Sequence, residues 1–212
     1  LVDLGPDERV SSVVAVREFP EDLYVVMLAT DGKIKKTRLS EFRHIRKGGI
    51  LAITLNKKAE LMMAKLTDGK KDIIIGTEQG KAIKFNEKEI RPMGRAAAGV
   101  KGVSLGKKDR IVGMVVADDN DSFVFTASAQ GYGKKTAVKE YPRHHRGGQG
   151  VINLKVNKKI GKAIGMLGIQ EHEMLLITGQ GKVIRIKTEP LRSIGRATQG
   201  VRMINLGEGD FV

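Results

Sequence analysis

The 212-residue chain is long enough for one large all-β domain or two smaller domains, and it contains no cysteine. A disulfide framework and a thiolate zinc site are therefore excluded, which is consistent with a cytoplasmic protein. The 38 Lys and Arg residues against 24 Asp and Glu residues give a formal net charge of +14, which favours a polyanionic partner. Apolar runs such as 23–29 and 111–117 are strand-sized and fall short of the roughly 20 residues of a membrane span, so we expect no membrane partner.

Four β-hairpins are predicted along the chain, each where two apolar runs flank a tight turn that ends in glycine. Glycine supplies the positive φ that such turns need. The turn glycines are Gly32, Gly80, Gly131 and Gly181, which are 48, 51 and 50 residues apart. A repeat of about fifty residues is typical of a propeller blade rather than of a helical solenoid.

A basic loop follows each hairpin. The four loops read SEFRHIRKGGI, KEIRPMGRAAAGV, KEYPRHHRGGQGV and EPLRSIGRATQGV. A third apolar run follows each loop, and a fourth run completes the first three units. We therefore predict an all-β, propeller-like fold of repeated four-stranded blades, with about four blade equivalents in the chain.

The two ends of the chain are out of phase with the repeat. Residues 1–20 match the second half of a preceding blade, 21–67, 68–118 and 119–169 are full repeats, and 170–212 are a last, incomplete repeat. The N-terminal strands could complete the last blade and close a four-bladed ring, or the chain could come from a ring with more blades. In both arrangements each blade buries its faces against its neighbours, so we expect 1–212 to be a single domain.

Basic residues recur at equivalent positions of the four repeats, first four residues after the turn glycine and then twice in the loop. The predicted contacts with nucleic acid, grouped by repeat, are Lys36, Arg43, Arg46 and Lys47; Lys84, Arg91 and Arg95; Lys135, Arg143, His145 and Arg146; and Arg185, Arg192 and Arg196. Equivalent positions recur around a ring, so these charges predict a circumferential belt. Such a belt suits the phosphates of a polyanion that bends around the protein.

Two other observations bear on the partner. Exposed lysines often serve only solubility or block the edge of a sheet, although their recurrence in phase argues for more than that. Aromatic residues make up 4% of the chain and Trp is absent, so platforms for stacking single-stranded bases are scarce. Duplex DNA is therefore the favoured partner.

No catalytic site, metal site or cofactor site is predicted. The stretch GYGKKT, residues 131–136, is no phosphate-binding loop, because position 128 is Ser and the segment lies in a hairpin. His144 and His145 are adjacent and have no further ligand at metal-binding spacing.

Four stretches in order, LATDGKIKKTRLSEF, IRPMGRAAAGVKGVSLG, AQGYGKKTAVKEYP and SIGRATQGVRMINLGEGD, resemble the C-terminal domain of the DNA gyrase A subunit, more distantly that of topoisomerase IV. The resemblance implies a β-pinwheel, a propeller whose blades exchange strands. It also implies a non-catalytic domain of a bacterial, ATP-dependent type II topoisomerase that wraps duplex DNA to support supercoiling. The implied partners are duplex DNA, the remainder of the gyrase A subunit, to which the domain is joined, and through it the gyrase B subunit.

Two alternatives remain at this stage. The gyrase family carries a box, Gln-basic-Arg-Gly-Gly-basic-Gly, in its first blade, whereas the nearest match here is 144–150, HHRGGQG, in the third full repeat. We interpret it as a box-like loop of a later blade, which leaves the equivalent domain of topoisomerase IV open. The other alternative is a propeller-type scaffold that binds proteins.

Overall fold

The computed structural model describes residues 4–6, 8–46, 48–117, 122–169 and 173–212. Within these ranges the regular structure is β-strand and short 3-10 helix, with no α-helix, and no helix there is long and apolar enough to cross a membrane. The strands are β1 Tyr24–Ala29, β2 Lys33–Arg38, β3 Leu61–Thr67, β4 Asp72–Thr77, β5 Lys81–Asn86, β6 Val100–Lys101, β7 Ile111–Ala117, β8 Phe123–Ser128, β9 Tyr132–Ala137, β10 Val151–Ile152, β11 Ala163–Ile169, β12 Glu173–Ile177, β13 Val183–Lys187 and β14 Val201–Arg202. The 3-10 helices are Leu39–Phe42, Glu87–Glu89 and Val138–Glu140.

The strands form three four-stranded antiparallel sheets and one two-stranded ribbon. Blade 1 has the strand order β3-β1-β2-β6, blade 2 has β7-β4-β5-β10, blade 3 has β11-β8-β9-β14, and blade 4 consists of β12 and β13. The last strand of each complete blade comes from the following repeat, after that repeat's basic loop. This strand exchange confirms the predicted β-pinwheel.

All four predicted hairpins form, and their turn glycines have φ between +75° and +84°. In blades 1 to 3 the exchanged segment also passes directly over the turn. A Cβ added to Gly80 would lie 2.1 Å from the Leu154 carbonyl oxygen, and one added to Gly32 would lie 2.6 Å from that of Val103. Gly181 in blade 4 has no atom within 4 Å of this position. The first three turns therefore need glycine both for φ and for the approach of the next repeat.

The core lies between the blades. β-branched and aliphatic side chains of blade 1, such as Val26 and Ile34, pack with Ile73 and Ile83 of blade 2 in one cluster. A second cluster joins Ile74 of blade 2 to residues of blade 3. Strands β3, β7 and β11 lie against one another at one edge of their sheets, and β6, β10 and β14 form the opposite edge. The blades follow one another in an arc. We call the edge formed by β3, β7 and β11 its inner edge, and the edge formed by β6, β10 and β14 its outer edge.

The described residues near the two ends of the chain do not meet in one sheet. Ser12 bonds the backbone of Ala64 in β3, its Oγ accepting from the amide at 3.1 Å, and Arg9 forms an ion pair with Glu60. Strands were predicted in this segment, but its described residues form none. In the described residues of blade 4, Leu175 is 64% exposed although the equivalent Val26 and Ile74 are fully buried. The described N-terminal residues therefore lie against blade 1 and do not complete blade 4.

Candidate nucleic-acid interface

The basic position four residues after each turn glycine is occupied in blades 1 to 3 by the hairpin lysines, Lys36, Lys84 and Lys135. Lys36 and Lys84 are only 4% and 7% exposed. The Lys36 ammonium donates to the Glu87 carbonyl at 2.9 Å and lies 3.3 Å from the Glu87 carboxylate. Lys84 donates to the Val138 carbonyl at 3.0 Å. The prediction that these two lysines face nucleic acid is therefore corrected: their charged ends are held inside the protein.

The hairpin lysines share one structural role. Lys135 is half-buried and donates to the Thr188 carbonyl at 3.1 Å. Each of the three acceptors lies seven residues after the turn glycine of the following repeat, and two of them, Glu87 and Val138, begin a 3-10 helix. Arg185 is exposed and lies 3.6 Å from Glu173 of its own blade. The in-phase lysines thus join each blade to the next one.

The loop arginines, Arg46, Arg95, Arg146 and Arg196, divide into two groups. Arg146 is half-buried and donates from Nε to the Glu89 carbonyl at 3.2 Å and from Nη1 to the Lys101 carbonyl at 2.9 Å. Arg196 makes the equivalent bonds to Glu140 and Ile152. Both therefore hold their loop to the preceding blade and expose only part of the guanidinium.

The other two loop arginines share one groove. Arg46 is exposed and Arg95 half-buried, and both line a groove of about 910 Å³ between the first two loops. Arg43 and His44 line the same groove, with Glu41 as its acidic residue. The groove is therefore predominantly cationic. Lys47, which was predicted in this loop, lies outside the described residues.

The outer arginines, Arg43, Arg91, Arg143 and Arg192, begin each loop and are all exposed. Arg43 donates to the Phe19 carbonyl at 2.9 Å. Arg143 is anchored to the buried carboxylate of Asp72 at 2.9 Å, yet half of its side chain remains exposed. His145, with a side chain 99% exposed, lies 3.4 Å from Glu89. These residues include one arginine in each repeat, and together with the exposed Arg46 and Arg185 they form the part of the predicted belt that is open to a ligand.

Two further lysines were not singled out from the sequence. Lys35 and Lys134 lie three residues after their turn glycines and are buried. Lys35 donates to the carbonyls of Ala52 and Arg95, and Lys134 donates to the Arg196 carbonyl at 2.6 Å. Each ammonium group thus hydrogen-bonds the backbone of the next blade's loop. The equivalent residue in blade 2 is Ile83, which lies beside Gly148 of the RGGQG loop. The signal available in the sequence was that this position is Lys where the loop of the next blade contains GRA and Ile where it contains RGGQG.

Burial lowers the pKa of Lys134 from 10.5 to about 7. The charge of Arg196 also lowers this pKa, and the charge of Glu140 raises it by a smaller amount. Burial likewise lowers the pKa of Lys35 to about 8. In the unfolded chain both lysines keep their protons up to a pH of about 10.5. Between pH 7 or 8 and pH 10.5 the unfolded chain therefore binds more protons than the folded chain. Stability should therefore rise with pH in that window.

We expect this dependence to be visible in a single variant. The free energy of unfolding of the parent should rise relative to that of Lys134→Ile as the pH is raised from 6 to 10, because the variant lacks the group whose pKa is lowered. Chemical denaturation at a series of pH values measures the difference. Ile is the residue that blade 2 carries at this position. Parallel stability curves for the two proteins would contradict the prediction.

The comparisons with known proteins agree with the fold and its repeats. A family model described as DNA gyrase C-terminal domain, beta-propeller, matches residues 23–67, 71–118, 122–169 and 172–212. The DNA gyrase A subunit of Staphylococcus epidermidis is 38% identical over 214 residues, and that of Escherichia coli K12 is 36% identical over 213 residues. Each alignment covers all of this chain but only 24% of the relative's length.

Solved structures also match. The C-terminal domain of DNA topoisomerase IV superposes with a TM-score of 0.88 and 26% identity, covering 96% of this chain and 64% of that one. A DNA gyrase A C-terminal domain superposes with a TM-score of 0.86 and 24% identity, covering 99% of this chain and 70% of that one. On its sequence, its repeats and its exchanged strands, this chain belongs to the DNA gyrase C-terminal domain family.

Proposed function

We propose that this chain is the DNA-wrapping domain of a bacterial DNA gyrase A subunit, which bends duplex DNA along its outer edge and takes no part in catalysis. One observation carries the proposal: an exposed outer arginine recurs at the start of every loop along an arc of strand-exchanged blades. Guanidinium groups at regular intervals along a curve match a phosphate backbone that bends. Because such contacts position DNA without reading bases, binding should be largely independent of sequence.

The inter-blade contacts contribute by fixing the spacing of these arginines. Each complete blade is joined to the next by an exchanged strand and by a hairpin lysine, and the loops of blades 3 and 4 are held back by Arg146 and Arg196. Rigid spacing favours a bent duplex over a straight one, since a straight duplex reaches only some of the arginines. The bend itself costs on the order of a few kcal/mol, which the additional contacts must offset.

The remaining steps of the topoisomerase reaction would belong to other parts of the protein. The chain spans about a quarter of the length of its gyrase relatives. We infer that cleavage and ATP hydrolysis reside in the gyrase B subunit or elsewhere in the gyrase A subunit, and that the assembly works in the cytoplasm. The basic outer edge offers more to a duplex than to a protein partner, so the scaffold function is the weaker candidate.

The proposed function is tested by DNA topology. A nicked plasmid is ligated in the presence of the chain, and the topoisomers are then separated on a gel. Because wrapping constrains writhe, we expect the mean linking number to shift progressively as protein is added. A plasmid that is fully bound, yet keeps the linking number of free DNA, would reduce the activity to simple binding and contradict the wrapping proposal.

A further inference from the structure

Three connector turns carry lysine pairs that the loops do not account for. These turns, 56–59, 106–109 and 157–160, lead from the segment after each loop into β3, β7 and β11. Their lysines are Lys57 and Lys58, Lys107 and Lys108, and Lys158 and Lys159. The pairs recur with the period of the repeat, and all six side chains are exposed. The buried hairpin lysines recur with the same period. The connector-turn lysines differ from them in being exposed.

Each connector turn is fixed against the hairpin turn of its own blade. The Asn56 side chain donates to Asp31 at 2.6 Å. The Gln79 amide donates to the Asp109 carboxylate at 3.0 Å, and the Gln130 amide donates to the Ile160 carbonyl at 3.1 Å. The lysine pairs therefore lie at the same end of successive blades, on anchored backbone.

The connector turns are also close to the basic loops. The residue three positions before each pair bonds the loop of the next blade: Thr54 Oγ1 donates to the Ala96 carbonyl at 2.7 Å and Ser104 Oγ to that of Gly147 at 2.7 Å. The Lys155 amide donates to the Thr198 carbonyl at 2.8 Å. Because three residues span at most about 11 Å, the first lysine of each pair lies within that distance of the residue that bonds a basic loop.

The backbone at Lys108 supports a role for its charge. Its φ is +62°, and it is the one non-glycine residue with positive φ in the described ranges. Glycine or asparagine fits that conformation with less strain. A lysine in this conformation costs stability, which points to a use for its ammonium group.

We propose that the six connector-turn lysines form a second row of phosphate contacts, beside the basic loops, that binds the opposite strand of the same duplex. The grooves of B-DNA are roughly 6 and 12 Å wide, so lysines a few residues from a basic loop can contact the backbone across one groove from the phosphates that the loop cations bind. This proposal rests on the proposed function, since it requires a duplex on the outer edge.

The test uses a pair of substitutions in the middle turn. Lys107→Gln with Lys108→Asn removes two charges, and asparagine keeps a residue that tolerates positive φ. The control, Lys65→Gln with Lys70→Gln, removes two exposed charges from β3 and the turn after it. The control residues lie in and just after β3, whereas the tested turn lies between β6 and β7. Thermal melting confirms that both variants fold.

The readout is the salt dependence of duplex binding, plotted as the logarithm of affinity against the logarithm of salt concentration. We expect the slope of the turn variant to be shallower than that of the parent by roughly two units, and that of the control to be unchanged. Between 50 and 200 mM salt the parent should then lose roughly tenfold more affinity than the turn variant. With single-stranded DNA, which lacks the opposite backbone, the turn variant should differ less from the parent.

The outcomes separate the two proposals. If the parent binds duplex DNA with a steep salt slope and the turn variant keeps that slope, the second row does not exist and the proposed function stands. An equal change in turn variant and control would indicate diffuse attraction and also overturn the second row, as would an equal effect on single-stranded and duplex DNA. A parent that binds no duplex would overturn both proposals.

Discussion

Replacing Arg91 and Arg192 by glutamate is expected to weaken duplex binding on the order of a hundredfold at moderate salt. Both outer arginines are exposed, and neither reversal puts a carboxylate beside Asp72, as a change at Arg143 would. Each substitution removes one phosphate contact and adds repulsion at the same place. The effect is measured as the equilibrium constant for a duplex long enough to contact every blade.

A matched variant separates local contacts from net charge. Lys65→Glu with Lys70→Glu changes the charge of the chain by the same amount, but at the inner edge and its neighbouring turn. We expect it to lose no more than a few-fold in affinity, since charges farther away than a Debye length of about 10 Å are largely screened. Equal losses in the two double variants would show that the outer arginines contribute only to the overall field.

The largest effect on stability is expected from Lys36→Met. This substitution leaves the Glu87 carboxylate, which is fully buried, without its ammonium partner at 3.3 Å. Removing one member of a buried ion pair costs about 3–5 kcal/mol, because the remaining charge is desolvated and uncompensated. Thr67 and the Lys71 amide still donate to this carboxylate and reduce the loss in part. Urea denaturation measures the change in the free energy of unfolding.

A double-mutant cycle assigns this loss to the pair. Glu87→Gln neutralises the buried charge, so Lys36→Met should cost less in a Glu87→Gln background than in the parent. The hydrogen bond from Lys36 to the Glu87 carbonyl is lost in both backgrounds and cancels in the comparison. Additive effects would mean that the ion pair contributes nothing beyond that backbone contact.

The repeat and the hairpins were predictable because a turn glycine and alternating apolar runs are local signals. The third apolar run was harder. After the second, third and fourth loops it forms only the two-residue strands β6, β10 and β14, paired with the preceding repeat. Residues 50–55, after the first loop, form no strand. The partner of such a run is the hairpin of the preceding repeat, and the described residues before β1 contain no strand.

The candidate site shows what recurrence in phase can and cannot indicate. Lys84 and Arg91 recur equally well along the sequence, but only Arg91 is exposed. A residue that joins neighbouring blades must recur with the repeat just as a ligand contact must, so periodicity alone cannot separate the two roles. The acceptor of Lys84 lies 54 residues away, at Val138, and only the fold brings it there.

Strand exchange also has a consequence for how the protein is made. Val100, where β6 begins, lies 33 residues after Thr67, where β3 ends, so the first sheet stays incomplete until most of the second repeat has been synthesised. At about 5–20 residues per second, that interval lasts roughly 2–7 s. During it β2 exposes an unpaired edge, which is a site for wrong pairing with other nascent chains. The time needed to synthesise the next hairpin and its basic loop therefore sets how long each complete blade lacks its last strand.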